Sequence, residues 1–324
     1  MKKALKALAV LALFAVLAVG CSKQAADDGT IKIGISKIVT HPALDASEQG
    51  IQDYLNEAGL KVKFDLQNAN GEASTAASIA QSFKSSKQDF VVGIGTPVAQ
   101  ALANVFDKTP VLYCAITDPS GAGLTASNLA GASDLTPVAE QVAIWAKATG
   151  AKAIGTIYTS SEANSVFLNA EFEKACKANG VEPVSTAVVN TSEIKQAAQA
   201  LAKRVDAVYI FTDNGVISAI ASVADVCTSA GLPLMLADAS NAREIDCTLA
   251  MGFDYYKLGV AVGKAIESIA KGEKTASDIG TVYLTDASDF EIVVNLDNAK
   301  KLNVTIPADV IANASTVIEN GQAK

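Results

Sequence analysis

Short polar groups stand directly after apolar runs that read as β-strands, and they are the residues best placed to do chemistry. Ser36, with His41 a little further on, follows the first run, Gly95-Thr96-Pro97 the third and Thr117-Asp118-Pro119 the fourth. Later in the chain come Thr159-Ser160-Ser161-Glu162-Ala163-Asn164-Ser165, Thr212-Asp213-Asn214 and Asp238-Ala239-Ser240. Hydroxyls, amides and a few carboxylates dominate, and no basic side chain is among them. Small hydroxyl residues beside helix N-termini hold the oxygens of an anion. Carboxylates hold an ammonium group. The set therefore suits a small zwitterion. The same residue types are also the ordinary caps of strand-to-helix loops, and about half of them need do nothing else. Asp118 and Asp238 stand apart, because neither opens an obvious helix. His41, followed by Pro42, reads equally well as a pocket residue or as a surface-loop histidine.

The elements that would position these groups are regular. Apolar, β-rich runs at 31–36, 62–67, 90–94 and 111–116 alternate with helical patterns at 44–58, 73–84 and 97–106. The grammar restarts at 130–133 and the helix 138–149, with strands at 153–158, 181–188, 206–211 and 232–236 and helices at 162–178, 193–203 and 216–230. Asn190 and Glu193 have capping-box spacing. Strands alternating with helices of this length predict βαβ units, and two successive halves predict an α/β protein of two Rossmann-like lobes with parallel sheets. Ligands of such sheets bind beyond the carboxyl ends of the strands, where the polar groups lie. A strand end at 251–254, a helix at 255–271 and strands at 281–284 and 291–294 complete one lobe or the other.

The chain has 324 residues, half of them apolar, which is enough for two domains and a large core. Its formal charge is −8. No basic block reverses that field locally, so nucleic acid is excluded as a partner. With one histidine, a His-clustered zinc site is impossible, and no metal or cofactor is expected. No phosphate-binding GxxxxGK[ST], no HExxH and no GxSxG occurs, and Gly93-Ile94-Gly95 lacks the third glycine of a dinucleotide fingerprint. Nothing argues for an enzyme.

Residues 1–6 are basic, 7–19 uninterruptedly apolar, and Gly20-Cys21 closes the run. That order is a secretory signal peptide, too short for a comfortable membrane span. Cys21 after a small residue resembles the lipobox of bacterial lipoproteins, in which the new N-terminal cysteine carries lipid. Residues 21–30 then read as a flexible tether, and the protein as an extracytoplasmic lipoprotein anchored to a membrane of the bacterial cell envelope. Cys114, Cys176, Cys227 and Cys247 remain. They form no CxxC, and most sit in apolar strand or helix patterns, where a cysteine is a small core residue. Cys227 and Cys247 are the closest pair in sequence.

Beyond these local features the chain resembles bacterial ABC-transporter solute-binding lipoproteins, and among them the tryptophan/tyrosine-type (TrpX-like) family. The residues that carry the resemblance span nearly all of the mature chain. They include His41-Pro42-Ala43-Leu44-Asp45 with Gly50, Asp53 and Leu55, then Leu66 to Gly71, Gly93 to Gln100 and Thr117-Asp118-Pro119. Ser161 to Ser165, Thr212-Asp213-Asn214, Gly252 to Tyr256 with Gly259, and Asn295-Leu296 through Ile306-Pro307 follow. The resemblance implies a type I periplasmic-binding fold whose chain crosses three times between lobes, with 31–135 plus 250–285 in one and 136–249 plus 286–318 in the other. It implies a monomer that closes on an aromatic amino acid and delivers it to a membrane permease and its ATPase. The binding residues it favours are Thr96, Asp118, Ser161, Asn164, Ser165, Asn214 and Asp238, beside Ser36, Thr117 and Asp213 of the strand-end set. The same mechanics would serve a sugar or nucleoside. Sugar sites stack rings on Trp, but Trp145, on a helix face with Val142 and Ile144 nearby, reads as core. A third reading is an exported hydrolase using Asp118 and Asp238 as acid and base.

Overall fold

Alternating βα units do build the chain, and they separate into two sheets. A computed structural model describes residues 29–324. The expected signal peptide, Cys21 and most of the tether lie outside the described residues.

Strands β1 (Ile31–Lys37), β2 (Val62–Asn68), β3 (Phe90–Ile94), β4 (Val111–Cys114) and β5 (Leu129–Ser133) alternate with helices α1 (Pro42–Glu57), α2 (Ala73–Ser85) and α3 (Thr96–Ala103). Together with β11 (Thr281–Tyr283) they form a sheet in the order β11-β5-β4-β3-β1-β2, parallel throughout. β3 and β4 are buried at every position, as strands covered on both faces must be. α1 opens with Pro42 in its first turn, where a missing N–H is harmless.

The second sheet has the order β14-β13-β12-β10-β9-β8-β6-β7. Its parallel centre is β6 (Ala153–Thr159), β7 (Glu182–Val188), β8 (Ala207–Ile210), β9 (Leu234–Leu236) and β10 (Leu249–Phe253). Helices α4 (Val138–Thr149), α5 (Ala163–Ala178), α6 (Ile194–Leu201), α7 (Asn214–Ser218) and α8 (Ile220–Ala230) belong with it. The single helix expected over 216–230 is thus broken at Ala219, and its first segment starts earlier, where Asp213 caps it through Val216 N. The capping box expected at Asn190 is not formed: Asn190 makes no side-chain cap bond, and Glu193 accepts instead from the Val189 N–H, one residue before the N-cap.

After β10 the chain returns to the first sheet for α9 (Tyr255–Ala270), α10 (Ala276–Ile279) and β11, then goes back for β12 (Phe290–Asn295), α11 (Leu296–Lys301), α12 (Ala308–Ala312), β13 (Thr316–Glu319) and β14 (Gln322–Ala323). β12 pairs antiparallel with β10, as the reversed direction of re-entry requires. Three segments therefore cross: residues 134–137, Asp254 and 284–289. The lobe boundary expected at residue 250 needs correction. β10 pairs with β9 and β12, so the second crossing falls after Phe253.

Each sheet carries its own core, and Trp145 is fully buried in the second, its indole N–H donating to the Val208 carbonyl at 3.1 Å. All four described cysteines are free and buried, with desolvation pushing each thiol up to about 12. The returning helix α9 docks on α1 at glycines: a Cβ on Gly259 would overlap the Ser47 carbonyl, and one on Gly50 the Tyr256 carbonyl. Close approach lets the Ser47 hydroxyl donate to the Tyr255 carbonyl at 3.0 Å. Gly259→Ala is expected to destabilise the protein by roughly 3 kcal/mol through forced separation of the two helices. A urea melt checks this, and an unchanged midpoint would refute the close-packing account.

Candidate functional site

The chain order places β1 between β2 and β3, and β6 between β7 and β8, so each sheet has a switch point where two loops diverge. The loops from both sheets meet there. They enclose a cavity lined from the first lobe by His41, Leu44, Ala115, Thr117, Asp134 and Tyr255, and from the second by Asn164, Thr212, Asp213, Asn214, Ile217 and Asp238. The space open to a water-sized sphere is about 10 Å³, room for about one water and far too little for an amino acid. The lobes must part, or side chains turn, for a solute to enter.

Five residues of the sequence-derived set line this cavity: Thr117, Asn164, Asp213, Asn214 and Asp238. Asp213 is held hard in place, accepting from Thr159 N at 2.6 Å, Thr159 Oγ1 at 2.8 Å and Val216 N at 2.8 Å. Asp238 is buried and accepts from Ser240 N at 2.8 Å. The other five lie elsewhere. Ser36 and Thr96 are buried at the end of β1 and the start of α3. Ser165 is fully buried behind Asn164, whose Nδ2 approaches its hydroxyl at 3.4 Å. Ser161 is exposed in grooves at the mouth of the cleft. Asp118 stands in one of those grooves, and its carboxylate closes its own turn by accepting from Gly121 N at 2.9 Å.

Asp134 and Tyr255 escaped the strand-end reading because they meet across the fold, 121 residues apart. The Tyr255 hydroxyl donates to one oxygen of Asp134 at 3.0 Å and the Thr117 hydroxyl to the other at 3.1 Å. Asp134 lies in the first crossing segment, so this cluster ties a crossing to β4's loop and to α9. Ala115, also in the wall, adopts φ 57, a left-handed conformation that a side chain tolerates only at some energetic expense. Leu44, Ile217 and the Tyr255 ring supply the apolar lining that the loop motifs themselves lack.

The site is rich in carboxylates and holds no Lys or Arg. Burial pushes Asp134 up to about 6, against the hydrogen bonds from Tyr255 and Thr117. Glu162, buried at the N-cap of α5, is pushed to about 8 by desolvation and then by the Asp213 charge, opposed by the Asn214 amide that donates to it. Burial also lowers His41, against the carboxylates of Asp238 and Asp45. Among the described residues no group of three or more His, Cys, Asp or Glu is arranged to hold a metal ion, and no helix is long and apolar enough to cross a membrane.

Known proteins share this architecture. A tyrosine-binding protein of Clostridioides difficile is 32% identical over 283 residues, covering 84% of this chain and 81% of its own. An ABC domain from Streptococcus pneumoniae, solved in complex with L-Trp, is 33% identical with a TM-score of 0.83, over 89% of this chain and 100% of its own. A ligand-free, open structure of a substrate-binding protein with adhesive properties from Clostridium difficile is 31% identical, over 89% and 99%, but has a TM-score of only 0.63. The fold is that of type I periplasmic-binding proteins. The model of the ABC transporter substrate-binding protein family matches residues 32–318, and the chain belongs to that family.

Proposed function

We propose that the chain is the receptor of an ABC importer for an aromatic amino acid, Trp, Tyr or Phe, which it buries between its lobes and hands to the permease without chemical change. The observation that carries this reading is the cavity wall: carboxylates on both lobes, no fixed cation, and an apolar side formed by Leu44, Ile217 and Tyr255. An ammonium group between Asp134 and Asp238 would be attracted from both lobes at once, and contact with both is what makes a ligand favour closure. Asn164, Asn214 and Thr117 complete the polar end. The relatives named for tyrosine and L-Trp support the same ligand class. The proposal extends to export through the signal peptide at 1–20, lipidation at Cys21, the tether at 21–30 and function as a monomer on the outer side of a bacterial membrane.

A ligand that binds only the folded form stabilises it by RT ln(1 + [L]/Kd), about 4 kcal/mol at a thousandfold excess. Chain from Ser22 onward, unfolded and refolded to shed any co-purified solute, should melt higher with Trp, Tyr or Phe than with the other amino acids, sugars or nucleosides. A shift confined to a sugar or nucleoside would keep the fold and overturn the pocket chemistry. Turnover of a tested compound would overturn the receptor role.

A further inference from the structure

His41 is 7% exposed and lines the cavity, yet neither ring nitrogen makes a hydrogen bond. It occupies the N-cap position of α1 with extended backbone and forms no side-chain cap there, so the helix does not employ the ring. Buried polar groups without partners are rare and call for an explanation. The other donors of the wall are engaged. The Thr117 and Tyr255 hydroxyls donate to Asp134, and the Asn214 amide to Glu162. Only the Thr212 hydroxyl, on the opposite lobe, shares the condition of His41, lining the cavity as a donor without a partner.

The surroundings of the imidazole are known on every side. Asp238 follows β9, Asn214 begins α7, Asp45 lies on α1, and Lys37 ends β1. Lys37 is held away from ligand duty by Asp45 at 2.6 Å and Glu48 at 3.3 Å. Asp134, Asp213 and Tyr255 complete the titratable wall. An amino acid entering this space brings a carboxylate into a site already crowded with carboxylates. That end of the ligand can rest only against uncommitted donors.

We propose that His41 reads the carboxylate of the captured amino acid, donating a ring N–H from the first lobe while the Thr212 hydroxyl donates from the second. The proposal rests on the amino-acid reading of the site given above. It assigns specificity to the carboxylate end: solutes with the same ammonium and ring but no negative charge are rejected, because they leave both donors buried and unpaired.

The test compares L-Trp with L-tryptophanamide, which keeps the ammonium and indole and loses the charge. Titration calorimetry on the refolded chain from Ser22 gives both dissociation constants for the unmodified protein, His41→Leu and His41→Gln. The unmodified protein should prefer L-Trp by at least about tenfold, the scale of one hydrogen bond to a charged group. In His41→Leu that preference should collapse to within about threefold through weaker L-Trp binding, with the amide little changed. His41→Gln, which retains a donor, should recover part of it. Ligand-free urea melts should show His41→Leu close in stability to the unmodified protein, since neither ring nitrogen makes a hydrogen bond of regular geometry. A preference that survives His41→Leu, or equal weakening of both ligands, overturns the proposal alone. An unmodified protein that binds none of L-Trp, L-Tyr and L-Phe overturns the amino-acid reading and this assignment with it.

Discussion

Asp238→Ala is expected to weaken aromatic amino acid binding by about a hundredfold or more, whereas Asp118→Ala should stay within about threefold of the unmodified protein. Removing one partner of a buried charge pair costs about 2–5 kcal/mol, which spans roughly thirtyfold to several thousandfold in Kd. Asp238 belongs to that class: it is 2% exposed, faces the cavity from the second lobe, and would meet the ligand's ammonium there. Asp118 is half-buried in a groove outside the cavity, with its carboxylate turned onto Gly121 N. Asp238→Asn separates charge from structure. Its amide oxygen can still accept from Ser240 N, so the fold should persist while affinity falls. Titration calorimetry on refolded protein decides the matter, and equal losses at Asp118 and Asp238 would refute the placement of the site.

Ligand-free stability should fall as pH rises from about 5 to 8, and Glu162→Gln should remove much of that fall. Glu162 has a folded pKa of about 8 against an ordinary 4.5, and Asp134 one of about 6 against 3.8. Both are raised, so the folded state binds more protons than the unfolded one in the window between. The stability each contributes is fully present below its ordinary pKa and is lost as pH climbs through the folded value. Asp134 acts between about 4 and 6 and Glu162 between about 4.5 and 8. Each group contributes a slope of at most about 1.4 kcal/mol per pH unit. Glu162 alone thus accounts for a loss of the order of 3 kcal/mol between pH 5 and 8. Urea melts of the unmodified protein and Glu162→Gln should agree near pH 5 and diverge by pH 8, with the variant the more stable. Parallel curves would show that the carboxyl is not held neutral by its surroundings.

Asp118 and Asp238 also show how far the site was legible before the structure. Each is an acid after a buried strand and before small residues, and residue type alone does not tell them apart. The difference lies in the turn that follows. Residues 118–123 fold back so that Gly121 N captures the carboxylate, whereas Asp238 bonds Ser240 N and remains in the cavity wall. Asp134 and Tyr255 were invisible for a stronger reason, because their contact closes only when the second segment of the first lobe returns. The alternating strands and helices were readable throughout, since burial on both faces of a parallel strand and on one stripe of a helix is written in local pattern. β10 was misplaced because its partners, β9 and β12, lie on opposite sides of it in sequence and its membership is a matter of pairing. Trp145, Cys114, Cys176 and Cys227 were correctly read as core, because residue type and apolar neighbours suffice there, whereas Cys247 carries no such local pattern and is buried all the same.

The buried cysteines have a practical consequence for watching this receptor move. A thiol is reactive as the thiolate, and desolvation holds these four far from that form at neutral pH. A chain beginning at Ser22 therefore offers labelling reagents an almost blank surface. Val166, 48% exposed on α5, looks across a groove toward Gln100 and Asp118 of the other lobe. A dye on Val166→Cys would sit at the lip of the cleft, in a protein with no competing surface thiol, and its emission would follow the lobes as they part and close. The receptor could thus be read as an optical gauge of free solute without removing a single native cysteine.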